Sequence, residues 1–269
     1  MNYIDLGWED LAIASVLVLL NAGLSVALQL GIERRLLVAA ARTVVQLLLV
    51  GLVLTALFES GSPGWTALAA VAMVALAGRE VLSRQEWRLS GGWTYGLGAG
   101  CMLLAAGLVT VFALSTAIRP DPWYDPRYAI PLLGMVLGNT MTGIALGLDT
   151  LSTGLARERV AVEAQLALGA TRWDATRPLV RRSLRSGLMP IINSMAAAGI
   201  VALPGMMTGQ ILAGADPVDA VKYQVLIMFL ISGGTALGAA TAVLGGVTRL
   251  TDARHRLRLD RLTARSTRT

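Results

Sequence analysis

One long polar segment interrupts a chain that otherwise alternates between hydrophobic stretches and short connections. Residues 151–187 carry seven arginines, whereas every other internal connection has about a dozen residues or fewer. Several hydrophobic stretches reach the ~20 residues that a helix needs to cross a bilayer. This pattern restricts the chain to an all-α transmembrane helix bundle with one large loop.

Seven transmembrane helices are predicted from the hydrophobic pattern. The chain is 55% hydrophobic with a mean hydropathy of +0.63, above the ~45–50% apolar content of soluble domains. A cleavable signal requires a basic residue before its apolar stretch. None precedes the first span, so that span is expected to be retained. Residues 1–269 are expected to form a single transmembrane domain, with spans at 11–31, 38–58, 64–82, 93–117, 129–149, 188–213 and 222–247.

The positive charges predict the orientation of these spans. Nineteen of the 23 Lys and Arg residues fall in connections on one side, whereas the other side holds Arg119, Arg127 and Lys222. Cytoplasmic loops carry the excess of Lys and Arg. We therefore expect a multi-pass protein of the inner cell membrane, with the N-terminus outside and the long loop and C-terminus in the cytoplasm.

The tail at 248–269 is basic and follows the last span directly. Its arginines are expected to bind anionic lipid head groups, with a protein partner as the alternative. Because the net charge of +6 is concentrated beside the spans, it indicates membrane lipids and not nucleic acid. The only histidine, His255, lies in this tail and is assigned no catalytic or metal-binding role.

The chain lacks the residues that nucleotide hydrolysis requires. A phosphate-binding loop ends in Gly-Lys-Ser/Thr, but the only lysine is Lys222, between Val221 and Tyr223. No cofactor is therefore expected on this chain, and any ATP and Mg used would be bound by a separate ATPase. An intramembrane enzyme stays open as an alternative, although the spans hold isolated amides and one arginine and no convergent polar cluster.

The long loop is predicted to contain two helices. Helix-favouring residues run from Arg157 to Leu168, and Gly169 is a plausible C-terminal cap. A second helix is expected from Thr171 to about Gly187. Arg159 and Glu163 are four residues apart, so they can pair on one face of the first helix.

The loop resembles the cytoplasmic coupling loop of ABC-transporter permeases. Those loops often read Glu-Ala-Ala, three residues, then Gly, and Glu163-Ala164 with Gly169 keeps that spacing. The later Leu-Pro of importer loops is replaced by Arg181-Arg182, which argues against an importer. The alternative is an amphipathic loop that lies on the membrane surface without a partner.

A second block carries a more specific resemblance, to the Fet-type permease family. It runs from Leu203-Pro204-Gly205-Met206-Met207 through Asp216-Pro217 to Tyr223-Gln224. Further matches are Arg42 and Gln46, Gly138-Asn139, and Leu168-Gly169-Ala170-Thr171. The resemblance implies a membrane subunit, present as two copies in the assembly, that works with a separate ABC ATPase. Bacterial members are described as iron exporters and plant relatives as aluminium-tolerance proteins. The residues expected to couple to the ATPase are Glu163, Ala164, Leu168, Gly169, Ala170, Thr171 and Arg172.

The methionine pair is a candidate metal site or gate. Pro204 and Gly205 are expected to kink or unwind the sixth span. Met206 and Met207 point about 100° apart on a helix, so both can face one cavity only if the helix unwinds. Their thioethers suit Cu(I) better than Fe(II), and packing is the alternative role.

Three polar residues within spans are further candidates for a transport pathway. Arg42 and Gln46 lie one turn apart in the second span, where Arg42 could instead snorkel or pair with Glu33 or Asp149. Asn139 lies near the middle of the fifth span, where an interhelical hydrogen bond is the alternative. Asp216-Pro217 is expected to cap the N-terminus of the last helix.

The expected function is that of the permease subunit of an ATP-driven exporter of iron or another metal. Within the same class, a sugar-nucleotide or another small polar solute is the alternative substrate. From other classes, an ATP-independent channel or carrier, or an intramembrane enzyme, stays open.

Overall fold

The computed structural model describes residues 7–252 and 254–264. Contacts divide the chain into two units. The first comprises the chain up to Ser62 together with Leu212–Gly214, and the second comprises Pro63–Ile211 and the chain from Ala215 onward.

The first unit is a helical hairpin. Helix α1 spans Trp8–Ala27 and helix α2 spans Glu33–Ser60. Ser25 is buried at the turn, where its hydroxyl donates to Glu33 Oε2 at 3.0 Å and accepts the N–H of Ile32 at 3.2 Å. The apolar side chains of α2 are mostly exposed, as is expected of a helix that faces lipid or another chain.

The second unit contains seven helices and a two-stranded sheet in its described residues. A π-helical segment, Ala113–Ile118, continues α4, and a 3₁₀ turn, Leu259–Arg261, precedes β2. The elements are α3 (Pro63–Ser83), β1 (Trp87–Leu89), α4 (Trp93–Phe112), α5 (Pro126–Arg157), α6 (Arg159–Ala167), α7 (Arg172–Ala197), α8 (Gly205–Leu212), α9 (Pro217–Leu250) and β2 (Leu262–Ala264).

Helix α5 is central in this unit and packs against α3, α4, α7 and α9. Helix α7 runs antiparallel to α5, because Leu179 lies at Gly154 whereas Gly187 lies at Gly143. Backbones approach so closely at the second contact that a Cβ on Gly187 would lie 2.6 Å from the Gly143 carbonyl oxygen. Small residues allow such close helix packing in membranes.

Helix α9 runs parallel to α5. Gly143 of α5 lies at Thr235 of α9, and farther along both helices Gly147 lies at Val243. The chain therefore passes along α5, returns along α7, and passes again along α9.

Most of the predicted spans are confirmed as helices. Among the described residues, six helices are long and apolar enough to cross a membrane, and they include the predicted first five and the last. Helix α5 continues to Arg157, eight residues beyond its predicted end, and α9 starts at Pro217 because Asp216 caps it as expected.

The sixth predicted span, 188–213, is wrong as a single helix. Helix α7 already begins at Arg172 and ends at Ala197, and α8 follows only at Gly205. The second loop helix predicted to end near Gly187 is thus the first part of α7. Three arginines, Arg181, Arg182 and Arg185, keep α7 below the hydropathy of a typical span, although Arg182 is neutralised by Glu158 at 2.6 Å.

The tail folds back onto the bundle. Strand β2 pairs antiparallel with β1, and Leu257, Leu259 and Leu262 pack against a cluster formed by the ends of α5, α7 and α9. Its arginines pair locally: Arg256 with Asp252 at 2.7 Å and Arg258 with Asp260 at 2.9 Å. The described part of the tail, 251–252 and 254–264, is therefore folded, whereas 265–269 lie outside the described residues. Binding of its arginines to lipid head groups stays a prediction.

Candidate functional site

The first candidate site is α6 and the turn that follows it. Val162 of α6 is buried in one cluster with Leu155 of α5 and Leu179 of α7. Arg159 pairs with Glu163 at 2.9 Å along the exposed side of the helix, as predicted. Arg182 of α7 donates to Glu158 at the junction of α5 and α6, which ties this junction to α7.

The turn between α6 and α7 has the predicted glycine geometry. Gly169 has a φ of +92°, a left-handed conformation that L side chains rarely adopt. The N–H of Gly169 donates to Leu166 O at 3.1 Å, and that of Ala170 to Gln165 O at 3.0 Å. Thr171 then caps α7 by accepting the N–H of Asp174 at 3.2 Å.

Two apolar side chains project from this site into solvent. Leu168 is 89% exposed and Val160 is 79% exposed, even though the opposite face of α6 is buried through Val162. Ala164 is exposed as well, and Glu163, Ala170 and Arg172 are half-buried around them. The result is an exposed side of α6 with an apolar residue at each end and a fixed base, which is suited to docking a protein or to lying on the membrane surface.

The folded tail reaches the same turn. The N–H of Arg172 donates to His255 Nδ1 at 3.1 Å, so tail and loop lie at one end of the second unit. Within the tail, the backbone N–H of Arg256, with its side chain, lowers the pKa of Asp252 below its usual range. Sequence reasoning gave His255 no role, because a contact across 83 residues leaves no local pattern.

The second candidate site is the break between α7 and α8. Ala198 to Pro204 form an irregular loop in which Gly199 has a φ of +81°. Pro204 and Gly205 were expected to kink or unwind the sixth span, and the span is broken just before them. Pro204 lies immediately before α8, and its carbonyl accepts the N–H of Thr208 at 3.1 Å. Gly205 is exposed with open space around it.

The two adjacent methionines face different surroundings. Met206 packs against the hydrophobic core shared by α5 and α9, whereas Met207 lines a cavity of about 360 Å³. Both lie inside α8, so the helix is not unwound there and the pair does not share one pocket. Sequence reasoning missed Met195 and Met228, which line the cavity with Met207, because neither is near it in the chain.

Arg42 and Gln46 are both on the exposed surface of α2 in the first unit. The partners predicted for Arg42 are engaged elsewhere: Glu33 accepts from Ser25, and Asp149 accepts the N–H of Glu86 at 2.8 Å. Arg42 has no ion pair among the residues that the structure describes.

Asn139 is half-buried in α5. Its side-chain amide donates to the Met135 carbonyl oxygen at 2.9 Å, four residues earlier in the same helix. The Asn139 amide N–H therefore donates within α5 and not to another helix, as had been considered. Its role in a pathway stays a prediction.

Helix α7 joins the two candidate sites. It begins with Arg172 at the turn and ends two residues beyond Met195, which lines the cavity. Between these ends it is held by buried Ala175, Leu179, Ser183, Gly187 and Ile191. A displacement of the turn is thus connected to the cavity through one helix.

The apolar helices and their exposed surfaces define a multi-pass membrane protein. The chain belongs to the UPF0014 family, described as an uncharacterised protein family, whose model matches residues 8–251. No solved structure matches the chain.

Named relatives cover most of the chain. It is 38% identical to a UPF0014 membrane protein of Synechocystis over 85% of this chain and 87% of that protein. It is 34% identical to the Arabidopsis thaliana protein ALUMINUM SENSITIVE 3, over 86% and 82%. It is 31% identical to the probable iron export permease protein FetB of Escherichia coli, over 96% and 97%. The resemblance to Fet-type permeases is therefore confirmed.

Proposed function

We propose that this chain is the membrane subunit of an ATP-driven ABC exporter of iron or another metal. A separate ATPase binds ATP and Mg and docks on the α6–α7 turn, and the assembly contains two copies of each chain. The FetB relative is named as a probable iron export permease protein, which supports metal export as the activity. Because the two proteins align over nearly their whole lengths, we propose the same activity for this chain.

The exposed tip of α6 is the observation that carries this proposal. An exposed leucine next to a glycine turn has no packing role within the chain, since Leu168 is 89% exposed. The base of the helix is nevertheless fixed by Val162 and by the Arg182–Glu158 pair. A helix that is both protruding and immobilised can enter a cleft in a partner and transmit its closure as a rigid-body motion.

Seven crossings and a cytoplasmic loop belong to the same proposal. Helix α7 returns along α5 before α9 begins, which supports counting it as the additional crossing despite its arginines. The β1–β2 pairing and the Arg172–His255 bond bring three connections to one end of the second unit. These are the connections with the arginine excess, so the proposal places this end in the cytoplasm and the N-terminus outside.

Access to the two sides of the membrane would alternate through motion of α7. Closure of the ATPase displaces the turn at Gly169–Arg172, and α7 carries that displacement to the irregular loop before α8. This loop and the short α8 are weakly held in the second unit, because α8 has no fully buried residue. Irregular backbone within a membrane protein is tolerated where it lines a cavity.

Co-purification tests the docking site directly. The affinity-tagged chain is isolated in nanodiscs from its own host, and ATP hydrolysis in the eluate is measured with and without Fe(II). Leu168→Asp, Glu163→Arg and Gly169→Asp are each expected to reduce the recovered ATPase activity by about tenfold or more, the equivalent of ~1.4 kcal/mol in binding. Stimulation by Fe(II) would support a metal substrate.

The matched control is Val218→Asp, which charges another exposed apolar residue, at the first turn of α9. This variant should retain the ATPase, because it lies far along α9 from the turn. Full ATPase recovery with all three loop variants would refute docking at α6. An eluate from the parent chain without ATPase activity would favour a channel or carrier.

A further inference from the structure

The cavity beside Met207 has a composition that packing alone does not explain. It lies where α7 ends, between α8 and the first turns of α9, and has a volume of about 360 Å³. Most of its lining is apolar, including Pro204 and Phe229. Among the lining side chains, those with electron-pair donors are Met195, Met207, Met228 and Gln224.

Gln224 is the one polar side chain of this lining. It is only 9% exposed, and its Oε1 has no hydrogen-bond partner among the described residues. A buried carbonyl oxygen without a partner costs free energy, and native proteins rarely leave one unexplained. Gln224 lines the cavity, and a turn of its side chain would bring this oxygen, which is inaccessible in the structure, to a ligand there.

The remaining donors are three thioether sulfurs from three helices. Met195 comes from α7, Met207 from α8 and Met228 from α9, and the first and last also pack against the core. Methionine has three rotatable bonds, so sulfurs around a cavity larger than an ion can converge on it. No carboxylate, imidazole or thiol is present in the lining.

This donor set distinguishes between metal ions. Thioethers are soft ligands that select Cu(I), whereas imidazole, carboxylate and carbonyl oxygen suit harder divalent ions. An uncharged lining also disfavours divalent ions, because the desolvation of an ion scales with the square of its charge and nothing here offsets it. A monovalent soft ion is therefore the cation that this cavity can hold best.

We propose that the cavity binds a soft monovalent cation, Cu(I) or Ag(I), through Met195, Met207 and Met228, with Gln224 Oε1 as a fourth ligand. This site specifies the class of cation in the metal export proposed above. Binding of the ion is argued from the cavity, and only its export rests on the proposed function. Because α7 supplies one ligand and also begins at the docking turn, movement of α7 would change the distance between Met195 and the other two sulfurs.

Equilibrium binding of Ag(I) to the chain alone tests the proposal. The chain carries Cys101→Ser, since Cys101 lines a separate cavity and its thiol would bind silver independently. Calorimetric titration in chloride-free nanodiscs should give one tight site. Met207→Leu and Met228→Leu, which preserve side-chain volume, should each weaken it by about tenfold or more.

Met206→Leu is the matched control, because Met206 is adjacent in sequence but packs against the core. It should bind Ag(I) like the parent. Equal weakening by Met206→Leu and Met207→Leu, or no tight site in the parent, would overturn the proposal. Displacement of Ag(I) by equimolar Fe(II) would overturn the selectivity argument.

A second readout needs no substitution of a methionine. Bound Ag(I) should protect Met195, Met207 and Met228 from oxidation by peroxide, as measured by peptide mass spectrometry. Met206 is the internal reference and should oxidise at the same rate with or without silver. If the chain binds no silver but still co-purifies with the ATPase, the cation site is refuted and the proposed exporter is not.

Discussion

His255 Nδ1 accepts the backbone N–H of Arg172 at 3.1 Å, which joins the folded tail to the first residue of α7. The first N–H groups of a helix have no partner within that helix, so an acceptor from elsewhere in the chain satisfies one of them. His255 holds this position with a φ of +56°, a left-handed conformation in which Asn, Asp and His are enriched among the non-glycine residues. The single histidine is therefore a structural acceptor beside the docking turn.

Replacing His255 by alanine should release the tail. The substitution removes the acceptor for Arg172 and places alanine in a strained backbone conformation. Trypsin cleavage within Arg254–Arg261 should become about tenfold faster, as expected when a local contact worth ~1.4 kcal/mol is lost. Densitometry of a digestion time course in nanodiscs gives the rates.

The control for this prediction is His255→Asn. Asparagine offers an oxygen acceptor at a similar distance from its backbone and tolerates positive φ. It should therefore preserve the slow digestion of the parent. Identical rates for the alanine variant and the parent would show that the bond contributes nothing to tail docking.

Gly187→Ala should destabilise the bundle at the contact between α5 and α7. The new Cβ would lie 2.6 Å from Gly143 O, which is backbone and cannot move aside like a flexible side chain. Overpacking of this kind costs about 1–3 kcal/mol. The melting temperature of the purified chain should fall measurably in detergent.

Gly233→Ala is the matched variant, because a Cβ there meets nothing within 4 Å. Alanine is a better helix former than glycine by ~1 kcal/mol, so this variant should melt at or above the parent temperature. Equal melting temperatures for Gly187→Ala and Gly233→Ala would disprove the close contact.

The proposed orientation predicts opposite labelling of two exposed positions. In a Cys101→Ser background, Leu168→Cys should react with a membrane-impermeant maleimide only in inside-out vesicles. Trp123→Cys, in the connection before α5, should react only in right-side-out vesicles. Both positions are exposed, so accessibility does not favour either. Labelling of both from one side would refute an odd number of crossings between them.

Asp216→Ala should weaken the start of α9. The Asp216 carboxylate accepts the N–H groups of Val218 at 2.9 Å and Asp219 at 3.3 Å. Loss of such a cap typically costs ~1 kcal/mol. The melting temperature should fall for Asp216→Ala and stay near the parent value for Asp216→Asn, which caps almost as well. Equal melting of the two variants would contradict a capping role.

Local signals in the sequence predicted much of the fold. Long apolar runs located six helices, the Gly169 turn followed from a glycine after a helical pattern, and Asp216-Pro217 marked the start of α9. Each of these depends on residues within a few positions of one another. The ~100° separation of Met206 and Met207 on a helix is also a local property. It predicted that they could share a cavity only if the helix unwound, and in the helical α8 they do not share one.

Features that depend on distant residues could not be predicted in this way. The helix predicted to end near Gly187 continues to Ala197 as α7, and its Arg182 pairs with Glu158, which lies 24 residues away. The tail looks like a basic anchor until β2 pairs with β1. Likewise, the cavity combines Met207 with Met195 and Met228 from separate helices, and no spacing rule links these three positions.

In the proposed cycle, α7 swings as one body about its crossing of Gly143 at Gly187, although Pro178 and Pro190 lie within it. From this fulcrum the arm to Arg172 is fifteen residues, or ~22 Å, and the arm to Met195 is eight residues, or ~12 Å. A swing of the long arm therefore reaches the short arm at about half its amplitude and with about twice its force. The ATPase end could then travel far while the sulfur of Met195 moves only the short distance that loosens an ion.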